Sequence, residues 1–219
     1  MSVPVLTIDG PSGSGKGTVA RLLAQRLGWH LLDSGALYRI AALAAQRRDV
    51  DLNDAAGVAE LAAHLNVRFV GEDETCVLLD GEDVSLLIRS EQAGEAASVV
   101  AAHPVVRDAL LDFQRRFAQA PGLVADGRDM GTVVFPDAQV KIYLDASAEV
   151  RGERRYKQLN EKGLGANLAQ IIHDIRRRDE RDMQRPVAPL KAADDAHRIE
   201  TSFLTVEQVL TECLTLMGV

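Results

Sequence analysis

Apolar positions along this chain switch between two periods. The run Val3-Pro4-Val5-Leu6-Thr7-Ile8 is nearly unbroken and rich in β-branched residues, the pattern of a strand covered on both faces. From Val19 to Leu27 apolar residues return with helical spacing, and Gly28 supplies a C-terminal stop. Trp29-His30-Leu31-Leu32 reads as a second buried strand. Ala36, Leu37, Ile40, Ala41, Leu43 and Ala44 then form the apolar side of a helix that Asp33 or Ser34 can cap. Residues 53–66 read as an Ala-rich helix. The texture changes at Val67. Residues 67–70, 75–79 and 82–86 are short strand-like runs, with Asp80-Gly81 as a hairpin signal between the last two. Helices over 91–102 and 105–118, broken at His103-Pro104, lead to an apolar strand from Leu123. Val140–Leu144 gives another strand, Asp145-Ala146-Ser147 caps the next helix, and a further helix stops at Pro186. A strand over 196–200 and a helix over 205–216 follow. Strands alternating with helices predict an α/β fold with a parallel sheet; the antiparallel patch reads as an insertion outside that sheet.

Composition changes this picture little. The 219 residues suit one sizeable domain over 1–219, and 47% hydrophobic with 26% charged residues is an ordinary globular balance. No apolar run approaches the ~20 residues of a membrane span. A strand that begins by residue 3 leaves no room for a signal peptide, so a cytoplasmic protein is expected. Cys76 and Cys213 lie far apart among apolar residues and read as reduced core thiols. A net charge of −7 argues against a broad nucleic-acid surface. Yet 20 of the 25 basic residues are arginine. Base composition explains that blandly, and abundant alanine agrees with it. The functional account is that planar guanidinium groups gather on phosphates, and where they cluster decides.

The chemistry concentrates first in Gly10-Pro11-Ser12-Gly13-Ser14-Gly15-Lys16-Gly17-Thr18, between the first strand and the first helix. Backbone amides of such a loop converge on phosphate at the positive end of a helix. Lys16 adds a mobile charge for the outer phosphates of a nucleoside triphosphate. The pattern departs from the general Walker A motif at Gly17, where a metal-binding hydroxyl is usual; the hydroxyl arrives one residue late, at Thr18. In this form the loop resembles that of nucleoside monophosphate kinases.

Other candidates stand beyond the loop. Ser34, Tyr38 and Arg39 follow the second strand within about one turn, where capping and ligand contact are equally good readings. Arg107 sits in a first helical turn, where a cation gains nothing from the macrodipole. Asp126-Gly127-Arg128-Asp129-Met130-Gly131 places alternating charge on a turn straight after a strand, which suits a ligand-facing loop. Arg151, Arg154 and Arg155 share a helix face ahead of the turn Glu161-Lys162-Gly163-Leu164-Gly165, and the pair of helices reads as a mobile lid over 151–167. Arg178, Arg181, Asp182 and Arg185 share another face, with more cations than i,i+4 pairing explains.

Together Asp9–Thr18, Leu32–Arg39, Ala125–Pro136, Arg178–Asp182 and Arg185–Leu190 resemble the bacterial cytidylate kinases over nearly the whole chain. The resemblance implies a P-loop kinase with a central five-stranded parallel sheet flanked by helices. A monophosphate-binding region over 34–102, enlarged by the small antiparallel β insert, and a short helical lid complete it. It implies transfer of the ATP γ-phosphoryl group to CMP or dCMP, with Mg²⁺ entering on ATP. No direct protein ligand to the metal is expected; Thr18 is expected to reach it through water. Gly10 to Thr18 would bind ATP. Ser34, Arg107, Asp129 and Arg185 would read cytosine, Arg178 and Asp182 hold the sugar, and Arg39 bind the acceptor phosphate. Lys16, Arg128 and Arg154 or Arg155 would act on the transferring group. A monomer that binds neither nucleic acid nor membrane is expected. The rival readings are a kinase of UMP, AMP or a small metabolite, a nucleotide-dependent switch, and a nucleic-acid-stimulated ATPase. The last is disfavoured by the acidic balance and the lack of aromatic platforms.

Overall fold

The computed structural model describes residues 3–70, 76–161 and 165–218. Strand β1 (Val5–Asp9) runs through the glycine-rich loop into helix α1 (Lys16–Leu27), which ends at Gly28 in the left-handed region. β2 (His30–Asp33) leads into α2 (Ser34–Arg47), and of the two candidate caps Asp33 takes the role, accepting from the Ala36 amide. After α3 (Ala55–Ala63) come β3 (Val67–Val70), β4 (Cys76–Leu79) and β5 (Glu82–Asp83). β5 is shorter than its sequence pattern because the Ser85 amide and hydroxyl both turn back onto the Asp83 carboxylate. Thr75, expected to begin the middle strand, lies outside the described residues. Helices α4 (Glu91–Val100) and α5 (Pro104–Arg115) follow, the second opening on proline, whose missing N–H costs nothing at that position. The chain continues through β6 (Leu123–Gly127), β7 (Val140–Asp145), α6 (Ala148–Glu161), α7 (Leu168–Met183), β8 (His197–Glu200) and α8 (Val206–Met217).

Five strands form one parallel sheet in the order β2-β6-β1-β7-β8, and β3-β4-β5 form a separate antiparallel sheet. The main sheet and its insert match the expected architecture. The position of β2 does not match a buried strand. It is a sheet edge, with only Leu32 of its four residues fully covered. One face of the main sheet packs Leu6, Ile8, Leu23, Val209 and Cys213 under α1 and α8. The other packs Leu32, Leu37, Ile40, Leu123 and Met130, and the same cluster takes in Val77, Leu79 and Val84 from the insert. Burying each such leucine or isoleucine contributes about 1.5–3 kcal/mol. The insert is thereby seated on the β6 side, beyond the carboxyl ends of β2 and β6. Open α/β sheets bind ligands at such ends, where strand order reverses, and here β1 has β6 on one side and β7 on the other. Cys213 is fully buried and Cys76 half-buried, both unpaired.

Candidate active site

The glycine-rich loop leaves the sheet at Gly10, where a Cβ would overlap the Leu144 carbonyl oxygen at the end of β7. Lys16 opens α1 and its Nζ donates to the Pro11 carbonyl at 3.0 Å. Arg151 supports the loop from outside. Its guanidinium donates to the Ser12 carbonyl at 2.9 Å, the Ala146 carbonyl at 2.9 Å and the Asp179 carboxylate at 2.5 Å. The spacing on α6 predicts that Arg151, Arg154 and Arg155 present one stripe to phosphate. Instead Arg151 is buried and fully bonded, tying α6, α7 and the loop together. Arg154 donates to the Thr201 carbonyl at 2.5 Å, and Arg155 pairs with Glu91 of α4. The turn at Gly163 between α6 and α7 lies outside the described residues.

Two clefts of about 620 and 610 Å³ meet at Lys16 and Gly17. The second is walled by residues 13–19, Arg154, Arg155, Thr201 and the start of α8. Of the residues expected at ATP, Gly13 to Thr18 lie on it, Ser12 lines the first cleft, and Gly10 and Pro11 form the loop's buried root. The first runs under the insert, with Phe69, Val77 and Ile88 on one side. Its polar wall carries Ser12, Lys16, Arg21, Arg39, Arg89, Arg128 and Arg178 against only Asp33 and Asp126. In a protein of net charge −7 that concentration of cations makes a local anion trap.

Asp126 stands in the charged turn that the sequence singles out, but the sequence assigns it no role there. It is 7% exposed, its Oδ1 has no partner, and its Oδ2 stands 3.1 Å from where a Cβ on residue 17 would lie. An acid from β6 thus occupies the ground a hydroxyl at position 17 would take. Burial pulls Lys16 below its usual range, opposed by Asp126, and pushes Asp126 up, opposed by Lys16. Asp33 is in register with Asp126 across β2 and β6, and both border the cationic cleft. Among the described residues no three potential ligands cluster tightly enough to cage a metal. Two carboxylates beside a phosphate cleft suit Mg²⁺, which keeps waters and takes the rest of its shell from phosphate oxygens.

The cationic cleft opens into a smaller pocket of about 30 Å³, lined by Ser34, Tyr38, Ser98, Arg107, Asp129 and Arg185, with Arg128 and Arg178 bordering both. The structure therefore brings together residues separated by up to 151 positions in sequence, Ser34 to Arg185. Arg107 pairs with Asp129, both nearly buried, and its guanidinium lies 5.5 Å from the Tyr38 ring centre. Asp182, 1% exposed, lies behind this wall and accepts from Arg128, Arg185 and the Ser98 hydroxyl at 3.0 Å. Burial raises the Asp182 carboxyl, but Arg128, Arg185 and Arg178 outweigh it and hold it below the usual range. Asp182 thus fixes the arginines. Arg178 reaches Ser12 Oγ at 3.4 Å, while burial and the neighbouring Arg128 push it down to about 9. Arg39 donates to the carbonyls of Ile88 (2.7 Å) and Ser90 (3.1 Å), with its fork against the glycine face of α4 at Gly94.

Comparison with known proteins identifies the family. Residues 6–218 match the family model described as cytidylate kinase. A cytidylate kinase of Aeromonas salmonicida is 59% identical over 212 residues, covering 96% of this chain and 92% of that protein. One from Azotobacter vinelandii is 58% identical over 214 residues, covering 96% and 93%. A shikimate kinase structure from Bacteroides thetaiotaomicron, only 12% identical, aligns over the full length of both chains with a TM-score of 0.50, a likeness of fold alone. On the family match and the identity to these relatives, the chain belongs to the cytidylate kinase family.

Proposed function

We propose that the protein transfers the γ-phosphoryl group of ATP to CMP or dCMP, giving ADP and CDP or dCDP. The observation that carries this is the small pocket in which Ser34, Asp129, Arg107 and Arg185 converge beside a cationic cleft that shares Lys16 with the glycine-rich loop. ATP lies along Gly10–Thr18 with its base toward Arg154 and the start of α8. The acceptor phosphate meets Arg39, the sugar lies by Arg178 with Asp182 behind it, and cytosine enters the small pocket.

Phosphoryl transfer asks for in-line positioning and positive charge around three equatorial oxygens. Lys16, Arg128 and Arg155 supply that charge, Arg155 after leaving Glu91. The acceptor is itself a phosphate with a second pKa near ~6, so it arrives ionised and needs no general base. Against the expectation of no direct protein ligand, Asp126 and Asp33 would help ATP and a water on Thr18 to hold Mg²⁺, which would neutralise charge on the phosphates. Pocket volume adds a step. About 30 Å³ holds a water rather than a pyrimidine, so the walls made by α4, α5 and α7 part as the base enters and close over it. With Arg151 anchoring the start of α6, Arg154 and Arg155 over the donor cleft are the part of this helix placed to shield the γ-phosphate from water. The protein works as a cytoplasmic monomer. Assaying ADP release with CMP, dCMP, UMP, AMP and no acceptor tests the assignment. CMP or dCMP should be used fastest, and faster turnover of UMP or AMP, or turnover without any acceptor, would overturn it.

A further inference from the structure

Gln114, in the last turn of α5, is 1% exposed and does not border the base pocket. Beside its contact with Tyr38, its side chain makes hydrogen bonds to Leu110 and Ser34 that fix each other's direction. The Leu110 carbonyl one turn earlier can only accept, so the group facing it at 3.3 Å is the Nε2 amide. That leaves Oε1, which can only accept, 2.7 Å from Ser34 Oγ. The single hydroxyl proton of Ser34 is committed to Gln114, and only lone pairs remain for the pocket that Ser34 lines. The other acid-side group there, Asp129, is ion-paired to Arg107 and accepts as well. Two acceptors match the two N–H donors of an exocyclic amine, whereas a ring carbonyl at that position would face lone pairs twice. The Tyr38 hydroxyl, buried on the same pocket and also close to the Gln114 amide, can present either polarity and so does not discriminate.

We infer that Gln114 is a positioning residue for base selection: by taking the Ser34 proton it makes Ser34 an obligate acceptor and turns the pocket against a carbonyl-bearing base. This rests on the reading that the base enters the Ser34–Asp129 pocket. Without Gln114 the hydroxyl can rotate and donate, which removes one of the two penalties against uracil.

The test measures kcat/KM for CMP and for UMP at saturating ATP in the wild type, Gln114→Met, Ser34→Ala and the double variant. Methionine is unbranched and fills similar space without a hydrogen bond. Gln114→Met should lower the CMP-to-UMP preference roughly tenfold, one neutral hydrogen bond's worth, and leave the KM for ATP within about twofold. In the Ser34→Ala background the same substitution should change the preference no further. Gln114→Glu, which keeps an acceptor toward Ser34, should restore most of it. A neutron structure of the deuterated wild type with CMP gives a reading that needs no variant to fold, with the Ser34 deuteron expected on the line to Gln114 Oε1. A deuteron aimed into the pocket, or an unchanged preference in folded Gln114→Met beside a changed one in Ser34→Ala, overturns the inference alone. An unchanged preference in Ser34→Ala overturns the placement of the base as well.

Discussion

At the scale of single residues, the base pocket and the loop make separable demands. Asp129 touches the pocket and Arg107 but none of the donor cleft, so Asp129→Ala should raise the KM for CMP by at least about tenfold. Its KM for ATP should stay within about twofold, a split that steady-state kinetics reads directly. Asp9, at the end of β1, accepts from the Met130 and Gly131 amides at 2.8 Å each, yet burial pushes its carboxyl up to about 7. The folded protein then keeps a proton that the unfolded chain releases near pH 4, so stability falls as pH rises from about 4 through 7. The slope from this group reaches at most ~1.4 kcal/mol per pH unit. Urea unfolding of the ligand-free protein at pH 5, 6, 7 and 8 should show it, and Asp9→Asn should flatten it in part, because Asp126 shifts the same way. Residue roles were only half legible in the sequence. Ser34, Arg107, Asp129 and Arg185 meet in one pocket as the resemblance implied. Asp126 hid inside a motif whose next two charges drew the reading, and its burial beside Lys16 and its free oxygen exist only in three dimensions.

Among elements, α6 and α7 meet at a close joint. A Cβ on Gly152 would come within 2.5 Å of Ile172 Cγ1, so the two helices touch where glycine leaves room. Gly152→Val should force them apart and lower Tm by several degrees, with about 1–3 kcal/mol lost to overpacking. Arg151→Ala is expected to cost more, about 3–5 kcal/mol, because Asp179 is left buried without its cation and the Ser12 carbonyl without its donor. A thermal melt of both variants with and without ATP checks the order. Periodicity found nearly every element because strands and helices alternate with clear stops at Gly28, Pro104 and Pro186. It could not find neighbours. β2 looked buried because Trp29, Leu31 and Leu32 are apolar, yet it is the last strand of the sheet and only Leu32 is covered. Arg151 shares its helical spacing with Arg154 and Arg155, and nothing in that spacing says that Asp179 waits on the adjacent helix.

For the molecule as a whole, the proposed acceptor cleft lies toward one sheet edge and the proposed donor cleft toward the other, with β1 and Lys16 between them. CMP should therefore slow hydrogen exchange chiefly in α4, α5 and the end of α7, whereas an ATP analogue should slow it in the loop and the start of α8. Cys213 lies at the centre of the donor-side core with its thiol pushed up to about 12 by burial, while Cys76 is half-exposed in the insert. Labelling with a thiol reagent should modify Cys76 in the native state and Cys213 only at the rate of global unfolding. The close approach between position 17 and Asp126 has a consequence for descent rather than mechanism. A lineage exchanging Gly17 for serine would push a new side chain against Oδ2, and one losing Asp126 first would strand Lys16 without its nearest anion. Either change alone is a handicap, the first for want of room and the second for want of a counter-charge. Positions 17 and 126 are therefore expected to change together, although 109 positions of chain separate them.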